Sequence, residues 1–391
     1  MGSKETKNNM EKSISVLNDI KSKYILQKIF ENLNVKIFLK IINHNQKLQK
    51  KTNITINTYK NFWYDNQIEI ELIISNELKE DKNTFINFNE RDKPYIHIYL
   101  NKNKKETKRN YVKKEEASSK IKIILDIQFK IFKKLFNDCK CIQKIKFIKF
   151  KRSDITNMNQ MFSGCGSLNE LNVSNFNTEN VNAMSEMFLM CNNLKYLDLS
   201  SFNTENVIDM SLMFWLCWDL EGINLSSFKT NNVKTMRKLF NGCSKLKKLN
   251  LANFNTENVV NMENMFYGCS SLVKLNLANF NTINVVNISE IFAGCHSLKE
   301  LDISNFNLDN VRYMEKVFQH CRQLEKLNIP DSNSTNILKL KENFEQIKEN
   351  NNSRHNQNNN HHMTRIQNFE IDEIPEMEID DGNFFADFAD F

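Results

Sequence analysis

Cysteine is the residue whose type and spacing first suggest chemistry in this chain. Eight of the nine cysteines follow one another at intervals of 26 residues, and only Cys141 lies off this grid. Thiolates form disulfides or bind metal ions, but a thiol beside Phe and Leu in a reducing compartment usually serves as a small buried apolar group. We favour structural thiols over disulfides or metal ligands. The eight are Cys139, Cys165, Cys191, Cys217, Cys243, Cys269, Cys295 and Cys321.

The remaining reactive side chains form no recognisable catalytic pattern. The seven histidines have no partner spacing, and His97 lies in a short apolar run that favours a structural role. Neither a phosphate-binding glycine loop nor a nucleophile elbow is present in the sequence. We therefore predict a protein that is not an enzyme, without catalytic residues, cofactor or metal.

Other residues keep the period of the cysteines, which marks an internal repeat. Each copy has Phe three residues before its cysteine, Leu or Ile three after it, and an apolar pair at six and eight, and seven of the eight copies have Phe at eleven. Val or Ile follows at sixteen and Met at nineteen in most copies. One copy reads CNNLKYLDLSSFNTENVIDMSLMFWL, from Cys191 to Leu216.

This pattern predicts a strand and a helical turn in every copy. The alternation in Leu197-Asp198-Leu199 is typical of a short strand with two side chains inward and one outward. The Met210–Phe214 segment has spacing suited to a helical turn on the opposite side. One copy buries too little apolar surface to fold alone, so the copies must stack and share a core.

The phrase LxxLxLxxF, followed by NTENVxxM and MFxGC, resembles the BspA-like leucine-rich repeats, a 26-residue class found in bacterial and protist surface proteins. The resemblance covers about half the chain and implies an α/β repeat fold, a leucine-rich-repeat solenoid of about eight coils. Phe stands where ordinary leucine-rich repeats carry a buried asparagine. We expect a stacked row of buried amides to replace it, formed by Asp154, Asn180, Asn206, Asn232, Asn258, Asn284 and Asn310.

The outward residue of each predicted strand is polar. Asn and Asp are poor strand formers, so their recurrence has a cause. They either hydrogen-bond along a ladder, which we favour, or line a polar concave surface that binds a partner. The two roles are compatible. Lys146 begins the row, and the candidate partner-binding residues are Asn172, Asp198, Asn224, Asn250, Asn276, Asp302 and Asn328.

The flanks divide the chain into four parts, at 1–11, 12–128, 129–330 and 331–391. Residues 12–50 hold two amphipathic helical stretches that loosely resemble an F-box through Ile25, Leu26, Ile29, Phe30, Leu33, Phe38, Leu39 and Ile42, although the Leu-Pro opening is missing. A helical cap on the solenoid is the favoured alternative. Strands at Ile68–Ser75, Tyr95–Leu100 and Lys120–Asp126 complete a small α+β cap over the N-terminal edge.

The two ends of the chain carry candidate motifs. Met1-Gly2-Ser3-Lys4-Glu5-Thr6 fits the myristoylation pattern, with Gly2 as the acceptor. Residues 331–391 read as a mostly disordered tail, Asn-rich and then acidic. The tail ends in GNFFADFADF, and its candidate partner-binding motif is Phe384, Phe385, Phe388 and Phe391. The alternatives are docking of the tail on the protein's own basic N-terminal region and a tail that only keeps the protein in solution.

Composition and charge limit the function class. Hydrophobic residues make up 40% of the chain, mean hydropathy is -0.53, and no apolar run is long enough to span a membrane. The first ten residues lack the apolar core of a secretory signal, so we expect a cytoplasmic monomer. Glutamates interrupt the basic stretch Lys102–Lys122, so no nucleic acid is expected.

The sequence thus predicts a non-enzymatic scaffold that binds a partner protein on its repeat surface. A membrane is expected only if Gly2 is myristoylated. The first alternative is a substrate receptor of a ubiquitin ligase, with the F-box-like residues 12–50 bound to the adaptor. A surface adhesion protein is the second alternative, by analogy with the family.

Overall fold

The computed structural model describes residues 63–360 without interruption, and residues 17, 20–22, 25, 29, 41, 45, 48–50 and 61 before them. Its first part is an antiparallel sheet whose strands alternate apolar and polar residues. In strand β1 (Ile68–Ile74) every second side chain is buried, because apolar residues with period two all face one side of a sheet. The other strands are β2 (Asn83–Thr84), β3 (Ile96–Leu100), β4 (Tyr111–Val112) and β5 (Lys120–Leu125).

The antiparallel sheet continues directly into the repeats. Strand β6 (Ile142–Lys149), which follows the first cysteine of the repeat, pairs antiparallel with β1 on one side and parallel with β7 (Glu170–Asn172) on the other. The strand order is β3-β5-β1-β6-β7. The three predicted cap strands are therefore observed, and β1 joins them to the first copy. Two short 3-10 helices, Lys93–Tyr95 and Lys114–Glu116, complete this part.

Successive copies of the repeat pair with one another in parallel, in steps of 26 residues. Bridges of this kind join residue 157 to 183 and continue copy by copy to residue 313. Short strands occupy the predicted positions in four later copies: β8 (Tyr196–Asp198), β9 (Gly222–Asn224), β10 (Glu300–Asp302) and β11 (Lys326–Asn328). The described residues thus form a repeat protein of mostly sheet and few helices.

The predicted helical turn is wrong. In the segment Met210–Phe214 alternate backbone amides donate to carbonyls of the next copy, as Leu212 does to Arg237 at 2.9 Å, whereas a helix would use all its amides internally. The intervening amides close turns three residues long. Leu212 and Leu216 take the left-handed conformation that makes this alternation possible, with φ of 57° and 59°. The segment is therefore a pair of stacked turns in every copy.

The core consists of the apolar rows that the repeat predicts. The Phe that precedes each cysteine by three residues stacks on its equivalent, and neighbouring ring centres lie 5.4 to 6.0 Å apart with planes within 10° of parallel. These rings are almost wholly buried. They are Phe136, Phe162, Phe188, Phe214, Phe240, Phe266, Phe292 and Phe318.

A helix follows the last copy, where the sequence predicted a mostly disordered tail. Helix α1 (Thr335–Asn360) places Ile337, Leu340 and Phe344 in the core, and the Phe344 ring meets Phe318 edge-on at 6.2 Å. The prediction of disorder is thereby corrected for this stretch. The cap, the repeat copies and the helix as far as Lys348 belong to one compact unit.

Candidate functional site

The outward-facing residues of the strands form a continuous exposed surface, which we call the strand face. Its central row stands seven residues after each cysteine, and all eight of its members are exposed, as the candidate partner-binding residues should be. The row is Lys146, Asn172, Asp198, Asn224, Asn250, Asn276, Asp302 and Asn328. Function at this row remains a prediction.

The cap extends the central row across the antiparallel sheet. Asn172 is paired with Lys146, Lys146 with Glu71, Glu71 with Lys122, and Lys122 with Tyr99. Paired residues of adjacent strands point to the same side of a sheet. The strand face therefore runs without interruption from the outermost cap strand, β3, into the repeats.

The side chains of the central row form hydrogen bonds mainly with the backbone of their own turns. The Oδ1 atom of Asn250 accepts a hydrogen bond from the backbone amide of Ala252 at 3.1 Å, and Asn276 does the same with Ala278 at 3.0 Å. The same bond recurs at Asn172, Asp198, Asn224 and Asp302. This bond from residue i+2 is the local turn for which Asn and Asp are favoured.

The ladder that we favoured for this row is present only in part. Asn328 donates to Asp302 of the preceding copy at 3.1 Å. Asp302 also accepts two bonds from Ser304, which lower the pKa of its carboxyl to about 2 and keep it ionised. In most copies the turn bond, rather than a coil-to-coil ladder, accounts for Asn or Asp in a strand.

A second row flanks the first on the strand face. This outer row stands five residues after each cysteine, and several of its charges pair between copies. Lys144 meets Glu170 at 2.6 Å, and Lys274 meets Glu300 at 3.4 Å. The row is Lys144, Glu170, Tyr196, Gly222, Lys248, Lys274, Glu300 and Lys326.

The predicted amide row connects the copies, but it is exposed rather than buried. The side-chain nitrogen of Asn232 donates to the Glu205 carbonyl at 2.7 Å, and the same bond recurs in the neighbouring copies at Asn180, Asn206, Asn258, Asn284 and Asn310. The prediction of burial is wrong because these side chains bond to turn carbonyls at the surface. Asp154, in the first copy, pairs instead with Arg152.

The buried polar row is formed by threonine, which the sequence reasoning missed. The Thr230 hydroxyl donates to the Asn255 carbonyl at 2.7 Å and accepts the Asn255 amide at 2.8 Å. The same pair of bonds recurs at Thr178, Thr204, Thr256 and Thr282, which are buried. The recurrent Thr after Asn or Lys was the available signal.

All nine cysteines are free and buried. In seven copies the thiol donates to the carbonyl of the stacked Phe in the preceding copy, as Cys217 does to Phe188 at 3.1 Å. Burial raises the pKa of Cys217 to about 12, so this thiol is a poor nucleophile at neutral pH. The cysteines act as structural thiols here.

His97 lies on the cap side of the strand face and has a carboxylate on each ring nitrogen. Nδ1 lies 3.0 Å from Glu106, and Nε2 lies 3.2 Å from Asp126. The hydrogen bond to Asp126 is the main cause that raises the pKa of His97. Among residues 63–360 and the isolated positions before them, no three metal-ligating side chains come together.

Several predicted elements lie outside the described residues. These are Gly2, the tail motif Phe384, Phe385, Phe388 and Phe391, and most of the F-box-like stretch 12–50. Each stays a prediction. None of the helices in the described part of the chain is long and apolar enough to span a membrane.

Comparison with known proteins agrees with the repeat. A family model described as "Mycoplasma protein of unknown function, DUF285" matches residues 130–249 and 235–358. Comparison with curated proteins and with solved structures gave no match. The matched residues include all eight regularly spaced cysteines and more than half of the 391-residue chain. The chain therefore belongs to the DUF285 family.

Proposed function

We propose that the stacked copies form a leucine-rich-repeat solenoid of the BspA-like class and that its strand face binds a partner protein. The observation that supports this most is the continuity of the exposed polar central row from the cap to the last copy. Eight copies about 4.8 Å apart give a surface on the order of 40 Å long, which is ample for a protein segment.

The turn bonds favour binding because they orient the side chains beforehand. Asn172, Asn250 and Asn276 each use the side-chain oxygen to accept an amide of their own turn. Their side-chain nitrogens donate to no atom of the described residues and point their hydrogens to solvent or to a partner. A side chain that is already held loses less entropy when it binds.

The test compares what two variants of the full chain capture from an extract of the cells that make it. The first variant is Asn224→Asp, Asn250→Asp and Asn276→Asp, which keeps the turn acceptors and changes the charge of the central row. The matched control makes the same change at three exposed asparagines off the strand face, Asn182, Asn193 and Asn231. Circular dichroism verifies that both variants fold.

We expect the control to capture the same protein as the original chain and the central-row variant to lose it. Equal capture by both variants would contradict the proposal. A third variant, without residues 370–391, tests the acidic tail. If only this deletion abolishes capture, the tail is the binding element and the strand face is not.

A further inference from the structure

The outer row of the strand face contains a stretch whose positive charges have too few ion-pair partners among the described residues. Lys144 and Lys274 each have a glutamate in the next copy. Lys248 and its neighbour Lys247 are exposed and form no ion pair within the described residues. The lysines at 247, 248 and 274 therefore leave two positive charges that no carboxylate of the described residues neutralises.

Lys248 and Lys274 occupy equivalent positions in successive copies. Like charges at neighbouring positions of stacked copies repel each other, so this arrangement costs stability unless something acidic binds there. No strand pairing joins the described residues between β9 and β10, as is also the case between β7 and β8. The repulsion between these two lysines suits a binding site better than a purely structural role.

An exposed aromatic side chain lies in the same row. Tyr196 is 67% exposed and its hydroxyl donates to Glu221 at 3.2 Å. Its ring lies against Gly222 of the next copy, where an added Cβ would come within 3.2 Å of the ring. Tyr196, Gly222, Lys248 and Lys274 are consecutive members of the row, so an aromatic surface and two lysines fall within about 15 Å.

Carboxylates bound the stretch at both ends. Asp198 and Glu221 lie beside Tyr196, and Glu300 and Asp302 follow Lys274. They would repel a long polyanion such as a nucleic acid, which needs a continuous basic track. A short acidic segment with an apolar side chain fits this arrangement of lysines between carboxylates better than a nucleic acid does.

We propose that Tyr196, Lys247, Lys248 and Lys274 form a docking site for a short acidic segment of a partner protein, whose apolar side chain packs on the Tyr196 ring. This inference rests on the proposed function and specifies the chemistry of the partner. The lysines attract the segment, and the tyrosine supplies apolar contact area with a polar end.

The experiment measures binding of a labelled synthetic peptide to the full chain by fluorescence anisotropy. The peptide is rich in Glu and Asp and carries one Phe, and a second peptide replaces Glu and Asp by Gln and Asn. The test variant is Lys247→Gln, Lys248→Gln and Lys274→Gln. The matched control changes three exposed lysines elsewhere, Lys234, Lys316 and Lys341, to Gln.

We expect the test variant to bind the acidic peptide about tenfold more weakly than the control variant, and added salt to weaken binding to the original chain. Tyr196→Ser should weaken binding of the Phe peptide more than binding of an otherwise equal peptide with Ser at that place. Tyr196→Phe should restore most of this difference.

Three results would overturn this inference. They are equal binding by the test and control variants, equal binding of the neutral peptide, and binding of an oligothymidylate that is lost in the test variant as strongly as peptide binding. If the peptide result fails while the central-row variant still loses the natural partner, the docking chemistry is wrong and the proposed function stands. If the central-row variant keeps the partner, the proposed function fails whatever the peptide does.

Discussion

At the scale of single residues, the recurrent polar side chains bond mainly to backbone groups. Threonine, the exposed asparagines and cysteine each reach a backbone group of an adjacent copy, while the central row caps its own turns. Buried backbone groups need such partners, because an unpaired one costs about 1 to 3 kcal/mol. Most repeated polar positions are therefore explained by turns rather than by a ligand.

Thr230 tests this explanation in the middle of the stack. Thr230→Val keeps the side-chain shape but leaves the Asn255 amide and carbonyl without their partner. We expect the free energy of unfolding in urea to fall by about 2 to 4 kcal/mol. Thr230→Ser keeps the hydroxyl and should cost clearly less. Equal losses for Val and Ser would show that the hydroxyl bonds contribute little.

The thiols give a second test at this scale. Burial raises the pKa of Cys217 and Cys269 to about 12, so hardly any thiolate exists at pH 8. We expect the native protein to react very slowly with a thiol-specific reagent and the denatured protein to release all nine thiols. Rapid reaction of several thiols in the native state, or oxidised pairs in protein kept under reducing conditions, would contradict this account.

At the scale of elements, the strands were predictable and the turn segment was not. The alternation of apolar and polar residues predicted β1, β3, β5 and the repeat strands, because period two is specific to a sheet. The spacing of Met210 and Phe214 is equally compatible with a helical turn and with two stacked turns. Only bonds between copies decide between them, and these depend on residues 25 positions away.

The C-terminal helix was obscured by composition. Ile337, Leu340 and Phe344 have helical spacing, but the Asn-rich sequence around them is typical of a disordered segment. This weakly amphipathic segment folds against the apolar surface at the end of the last copy. The sequence of the segment itself gives no sign of that surface. The threonine recurs visibly in the sequence, but the role of the buried row was missed because its hydrogen-bond partners lie in the next copy.

The cap holds a histidine between two carboxylates, and its stability should depend on pH. The hydrogen bond to Asp126 raises the pKa of His97 above its ordinary value near 6.5. The charged form is favoured in the folded state, so this stabilisation is complete below pH 6.5 and is lost as pH rises through the folded pKa. We expect the free energy of unfolding to fall over that window.

His97→Gln provides the control for the pH effect. This variant should lose the part of the slope above pH 6.5 while other titrations remain. An unchanged slope would show that the pKa of His97 is the same in the folded and unfolded states, although its carboxylate neighbours imply a difference.

At the scale of the whole molecule, stability should depend on neighbouring copies. The Phe240 ring stacks on Phe214 and Phe266 and is fully buried. We expect Phe240→Ala to lower the free energy of unfolding by roughly 3 to 5 kcal/mol, and Phe240→Leu to cost less. In hydrogen exchange, amide protection should fall most in the adjacent copies. A uniform loss along the stack would contradict nearest-neighbour stabilisation.

The repeat and its register were readable from the sequence because eight cysteines and eight phenylalanines mark the same period. The sequence predicted the strand face only as a row of candidate residues, because the exposure of Asn224 or Asn250 follows from the alternation of side chains along a strand. The sequence did not reveal that Lys248 has no ion-pair partner among the described residues. Its partners depend on which residues the stacking of copies brings beside it. A repeated sequence thus specifies its core more completely than its partner.

The most direct test of the central claim is site-specific photo-crosslinking in the cells that make the protein. A photoreactive residue replaces Ser226, which is exposed at the strand face, or Asn231, which is exposed away from it. We expect position 226 to form a covalent adduct with a partner protein and position 231 to form none. An adduct at position 231 without one at position 226 would contradict it.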